Sequence, residues 1–205
     1  MKRRDFITLL GGSSAWPLAA RAQRAERAQR IGVLMGSAES DPESAPRVMA
    51  LERGLTDLGW LSGRNVLIDY RWGAGEPALM QAFARELVGL QPDVLVASST
   101  PVVAALGRET GTIPIVFVVV SDPIGSGFIE SLARPGGNMT GFINIESSLG
   151  GKWLELLKEL APRTSRVAAM FNPETAPHAE YCASIRSCCS RASGQSLRCV
   201  RPQRH

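Results

Sequence analysis

At 205 residues and 44% hydrophobic, the chain has apolar material for one core and a fragment of a second. Its net charge of +4 is an end effect: residues 1–30 carry seven Lys/Arg against Asp5 and Glu26, residues 182–205 carry five Arg and no acid, and residues 31–181 hold 11 basic against 17 acidic side chains. The globular part is therefore acidic, and a basic nucleic-acid-binding face has no support.

Cys182, Cys188, Cys189 and Cys199 are the only cysteines and His178 and His205 the only histidines, so residues 31–177 hold neither type. That distribution is neither a disulfide framework nor a set of paired zinc ligands. It also removes most Ser/His/Asp and Cys/His systems from the body of the chain. We assign no catalytic residue, no metal ligand and no cofactor.

In chain order, residues 1–22 read as an address. Arg3-Arg4-Asp5-Phe6-Ile7 resembles the twin-arginine export signal. The stretch 6–20 is too short and too polar for a transmembrane helix, which needs about 20 apolar residues. Ala20-Arg21-Ala22 supplies a small-x-small cleavage site. No cysteine near that point argues for a lipid anchor. The expected mature protein starts near Gln23, with 23–30 as a linker, and is soluble in the periplasm.

From Ile31 strands alternate with amphipathic helices. Residues 31–35 form an apolar run ending at Gly36-Ser37, the pattern of a buried parallel strand. Val48, Leu51, Leu55 and Leu58 mark one helical face, closed by Gly59. A strand is expected at 66–70. A helix carrying Leu79, Phe83, Leu87 and Leu90 follows, stopped by Pro92. A third unit runs from the strand 93–97 through Ser98-Ser99-Thr100-Pro101 to a small-residue helix over 102–108. Residues 113–120 are the most apolar run and are expected centrally in the sheet. A fifth strand over 139–145, a helix with Trp153, Leu156, Leu157 and Leu160, and a sixth strand over 166–171 complete the pattern. This alternation predicts an α/β fold: an open, mostly parallel sheet flanked by helices, with right-handed crossovers.

Nucleotide and hydrolase motifs fail on inspection. Gly150-Gly151-Lys152-Trp153 has Glu146 where a P-loop needs glycine, and Trp153 where it needs Ser or Thr. Gly125-Ser126-Gly127 is too compact for G-x-S-x-G.

Val118-Val119-Val120-Ser121-Asp122-Pro123 and Ser131-Leu132-Ala133-Arg134-Pro135-Gly136-Gly137-Asn138-Met139-Thr140-Gly141 closely resemble the hallmark segment of the ABC-transporter substrate-binding family that includes tryptophan-binding proteins. Leu55-Thr56-Asp57-Leu58-Gly59-Trp60 and Phe171-Asn172-Pro173 share the resemblance, which runs from about residue 31 to about 181. It implies a type 1 periplasmic binding protein, two lobes joined by crossing strands with ligand held between them. It also implies a membrane permease as partner, and the lack of His, Cys and any nucleophile motif over residues 31–177 leads us to expect binding without chemistry. On that template residues 31–146 are the first lobe, with 143–146 the first crossing, and 147–181 open an incomplete second lobe.

The residues themselves point to the same crevice, since small molecules bind beyond the carboxyl ends of parallel strands. The loops there carry Ser37, Ser99, Thr100 and Asp122. With Thr100 as N-cap and Pro101 as first helical residue, free N–H groups and the helix dipole favour a carboxylate. Asp122 can accept an ammonium group, so an amino acid or a related small zwitterion fits. The same residues also serve as plain helix caps and a turn initiator. Pro135-Gly136-Gly137-Asn138 reads as a structural turn, and Trp60, Tyr70 and Trp72 as packing. The rival classes are a flavodoxin-like enzyme and a single-lobe interaction module.

After Tyr181 the composition changes to five Ser, five Arg and four Cys with no Asp, Glu, Lys or aromatic residue. Residues 182–205 are expected to be disordered and out of frame. Ile185-Arg186-Ser187-Cys188-Cys189 can be encoded by ATTCGAAGCTGCTGC, which one base later begins Phe-Glu-Ala-Ala. A genuine redox or metal tail is the alternative. The 205-residue product is accordingly expected to hold ligand weakly.

Overall fold

The computed structural model describes residues 28–145, 149–164 and 167. The signal at 1–22, the sixth strand at 166–171 apart from Val167, and the tail at 182–205 lie outside these residues. The elements are β1 (Gln29–Met35), α1 (Ser44–Asp57), β2 (Val66–Trp72), α2 (Pro77–Gly89), β3 (Val94–Ser98), α3 (Thr100–Glu109), β4 (Ile115–Ser121), β5 (Met139–Ile145) and α4 (Leu149–Leu160). They build one sheet in the order β2-β1-β3-β4-β5, every neighbouring pair parallel.

Residue alternation along the strands divides the core between two faces. Ile31, Val33, Met35 and Val66 form one cluster, packed by Leu51 and Leu55 of α1. Leu34, Leu95, Ala97, Ile115 and Phe117 form the other, packed by Met80, Ala84 and Leu87 of α2 and by Val102, Val103 and Leu106 of α3. Leu58, expected on the buried face of α1, is instead the residue that ends the helix and is exposed. Gly59 follows at φ +85, and the Trp60 N–H returns to the Leu55 carbonyl at 2.8 Å. Only a residue free to take positive φ closes a helix in this way.

The strand expected at the centre is corrected. β3 is central and β4 lies one place from the edge. Apolarity reports that a strand is covered on both faces, not where it stands in the order. Among the described residues β5 is an outermost strand, as β2 is on the other side; it matches its expected bounds and exposes every second residue, Phe142 among them.

The Pro135-Gly136 stretch works as a turn. The Ser131 N–H bonds the Arg134 carbonyl, and the Arg134 N–H bonds the Ser131 hydroxyl. Asn138 donates its amide to the Ile113 carbonyl at 2.7 Å and accepts the Ile115 N–H on its own carbonyl, so this segment aligns β5 on β4.

Tyr70 and Trp72 stack with ring centroids 6.4 Å apart on the α1 face. Tyr70 donates its hydroxyl to Glu52. Burial first, then the charge and hydrogen bond of Glu52, push that hydroxyl well above the ordinary tyrosine range, so it stays protonated at neutral pH.

α4 buries Gly150 and Leu154 but leaves Trp153, Leu156, Leu157 and Leu160 exposed. No helix among the described residues is long and apolar enough to cross a membrane.

Candidate ligand-binding site at the carboxyl ends of the strands

From β1 the chain crosses to β2 on one side, while β3 pairs on the other. The loops leaving β1 and β3 therefore part, and a crevice opens between them, the switch point of an open α/β sheet. Gly36 lies at its floor. Its N–H donates to the Ser98 carbonyl at 3.0 Å, and its own carbonyl accepts the Gly75 N–H at 2.8 Å. A Cβ at Gly36 would run into the Ser99 hydroxyl and come within 3.0 Å of the Ser98 carbonyl. The loops meet this closely only because the position is glycine.

Around this floor is a cavity of about 400 Å³. The β1–α1 side contributes Gly36, Ser37 and Arg47, and the β2–α2 side Gly75 and Met80. Ser98 to Pro101 come from the β3–α3 side, and Val119 and Ser121 from β4. The backbone here is strained. Ser99 sits at φ 107, ψ 153, Val119 at φ 55 and Ala74 at φ 48. Such conformations in residues with a Cβ cost of order 1–3 kcal/mol each and cluster at ligand sites. Val119 lies where the β4–β5 register shifts, so part of its strain belongs to that irregularity.

The hydrogen bonds assign a polarity to the walls. Ser44 donates its hydroxyl to the Ala38 carbonyl at 2.8 Å, so its one proton is used. The 2.7 Å contact between the Ser37 and Ser44 hydroxyls must then run from Ser37 to Ser44. Ser37 keeps only lone pairs for a ligand and suits an ammonium or hydroxyl donor. Ser121 likewise donates to Asn144 Oδ1 at 3.1 Å and keeps its acceptors.

The start of α3 has the opposite character. Among the described residues, the N–H groups of Thr100 and Val102 have no acceptor. Thr100 Oγ1 accepts the Ser121 N–H at 3.3 Å and retains its proton. Ser99 Oγ is buried with no partner. Donors thus converge at the positive end of a ten-residue helix, an arrangement that favours a carboxylate.

Of the expected site residues, Ser37, Ser99 and Thr100 come together on the cavity. Thr100 is corrected from N-cap to first helical residue. Ser99 is the N-cap, without a side-chain cap bond, and Pro101 follows in the first turn. Proline tolerates either of the first two positions, because neither N–H has a partner within the helix. Asp122 lies outside the lining, at φ 46, with Oδ1 accepting the Gly125 N–H at 3.0 Å. It organises its own turn. Sequence reasoning missed Arg47 and Ser121. Ser121 ends its strand as Ser37 follows β1, and that parallel was readable. No group of three His, Cys, Asp or Glu able to hold a metal occurs among the described residues.

The profile of the family described as ABC transporter substrate binding protein matches residues 40–188. The chain belongs to that family. A tyrosine-binding protein of Clostridioides difficile is 32% identical over 123 residues, covering 58% of this chain and 34% of that protein. A conserved domain protein of Vibrio cholerae is 33% identical with a TM-score of 0.72, covering 83% of this chain and 56% of its own. A Streptococcus pneumonia ABC domain in complex with L-Trp superposes at a TM-score of 0.73 with 24% identity, over 84% of this chain and 57% of that one. The fold is that of a type 1 periplasmic binding protein lobe, and the chain spans a third to about half of the length of these relatives. In an open parallel sheet the strand-end crevice is where a small molecule is expected, and the start of α3 lies in it.

Proposed function

We propose that the protein is the solute-binding component of an ABC importer, exported to the periplasm, which hands its ligand to a membrane permease without chemistry. Its ligand is an amino acid or a related small molecule. The carboxylate rests on the Thr100 N–H and hydroxyl at the start of α3, and the ammonium on Ser37. The observation that carries this reading is the segregation of the cavity wall into a donor pole at α3 and an acceptor at Ser37. The names of the tyrosine-binding and L-Trp-bound relatives support the ligand class.

Amide NMR on the 205-residue chain tests it. Glycine, L-leucine and L-tyrosine should shift the Thr100, Val102 and Ser37 signals at millimolar concentration. The corresponding methyl esters, with no carboxylate, should bind about tenfold or more weakly, a loss of ~1.4 kcal/mol. Equal binding of acid and ester, or turnover of any of these compounds, contradicts the proposal.

Location is tested separately. Residues 1–30 fused to a reporter that folds before export should carry it to the periplasm, and replacing Arg3 and Arg4 by Lys should trap it inside. Export that survives the replacement assigns the general secretory route instead.

A further inference from the structure

We infer that this cleft selects a ligand with a second acid group, an acidic amino acid, and that Arg47 is the residue that reads it. The inference rests on the solute-binding reading above and extends it to ligand class. Among the described residues lining the cavity there is one cation, Arg47, with no carboxylate and no aromatic ring. Nothing on the wall neutralises that charge. Its ion pair runs to Glu43, the N-cap of its own helix, at 3.6 Å, with the side chains 41% and 74% exposed. Solvent-exposed pairs of this kind hold their partners weakly, so the guanidinium is not committed. A carboxylate inside the cleft can engage it through two parallel N–H donors, which a single long contact to Glu43 does not satisfy.

The position on α1 supports the assignment. Ser44 and Arg47 are three residues apart and share a helix face, and Ser44 is the residue that orients the Ser37 hydroxyl. Arg47 and the ammonium acceptor therefore belong to one wall, while the carboxylate donors of α3 form the other. A neutral amino acid would bring its ammonium to the wall that already carries Arg47, with no compensating charge. An acidic amino acid supplies that charge, and its two carboxylates meet the two cationic poles of the site. A cavity of about 400 Å³ is of the size that holds a small ligand.

The test compares L-glutamate with its neutral isostere L-glutamine by saturation-transfer NMR on the 205-residue chain, and L-aspartate with L-asparagine. Glutamate should bind about tenfold more tightly than glutamine. Arg47→Met should bring the glutamate-to-glutamine ratio to about one, and Arg47→Lys should restore part of it with a steeper salt dependence. Arg47 is exposed, and an unchanged amide spectrum confirms that each variant is folded. A native ratio near one overturns the inference while leaving the solute-binding reading standing. A ratio that survives Arg47→Met overturns the role of Arg47. Failure of every free amino acid to bind overturns both readings.

Discussion

Phe117→Ala is expected to remove about 3–5 kcal/mol of stability, enough to leave only about 0–2 kcal/mol if the domain starts near the low end of the usual 5–15 kcal/mol. Phe117 is fully buried and is the largest side chain so enclosed among the described residues. Its strand lies between β3 and β5, and its ring sits in the cluster with α2 and α3. On its β5 side it meets Gly141, where a Cβ would strike the Phe117 carbonyl and lie 2.7 Å from its ring. No neighbouring side chain from that position can swing in to fill the space, so the deletion leaves a cavity as well as losing the transfer energy. Urea unfolding followed by circular dichroism measures the loss. Phe117→Leu should cost about 1–1.5 kcal/mol. A loss below ~1.5 kcal/mol for the alanine variant would show that the sheet collapses onto the vacancy and that the packing at β4 is looser than described.

The alternation of elements was legible because each strand of this sheet is a short apolar run bounded by turn residues. The helices between them repeat an apolar residue every third or fourth position. β5 was readable to the residue, since Asn138 and the glycines before it mark its start. Strand order was not readable from apolarity. β4 is richer in Val, Ile and Phe than β3 yet lies nearer the edge, because order follows from the side to which each crossover turns. The helix start was misplaced by one residue for a similar reason. Pro101 signals the first turn, but whether it is first or second depends on Ser99 taking a backbone conformation that sequence favours only for glycine. That Ser37 and Thr100 stand at the strand ends, on the cavity, was legible from the strand–loop boundaries. Arg47 was not. It lies ten residues past Ser37, inside the following helix, and only the fold returns it to the cavity.

Gly36→Ala should weaken binding of any amino acid by at least about tenfold, with a stability loss of about 1–3 kcal/mol. The added methyl has nowhere to go. It meets the Ser99 hydroxyl, with the Ser98 carbonyl and Ser99 Cβ each at 3.0 Å, and two of those three neighbours are fixed to backbone that α3 begins from. The ends of β1 and β3 must part, and the Gly36 N–H to Ser98 carbonyl bond lengthens. Ser99 and Thr100 then move off the positions from which they offer donors. Because the change acts at the site, binding should fall further than stability alone accounts for, and the amide signals of α2 should stay in place while those of Ser37, Thr100 and Val102 move. Gly54 supplies the contrast. It lies inside α1 with nothing within 4 Å of an added Cβ, so Gly54→Ala should stabilise the helix by roughly 0.5–1 kcal/mol and leave binding as it was. Calorimetry or NMR titration of both variants separates the cases. If Gly36→Ala binds like the native chain, the β1–β3 crevice is not where the ligand sits.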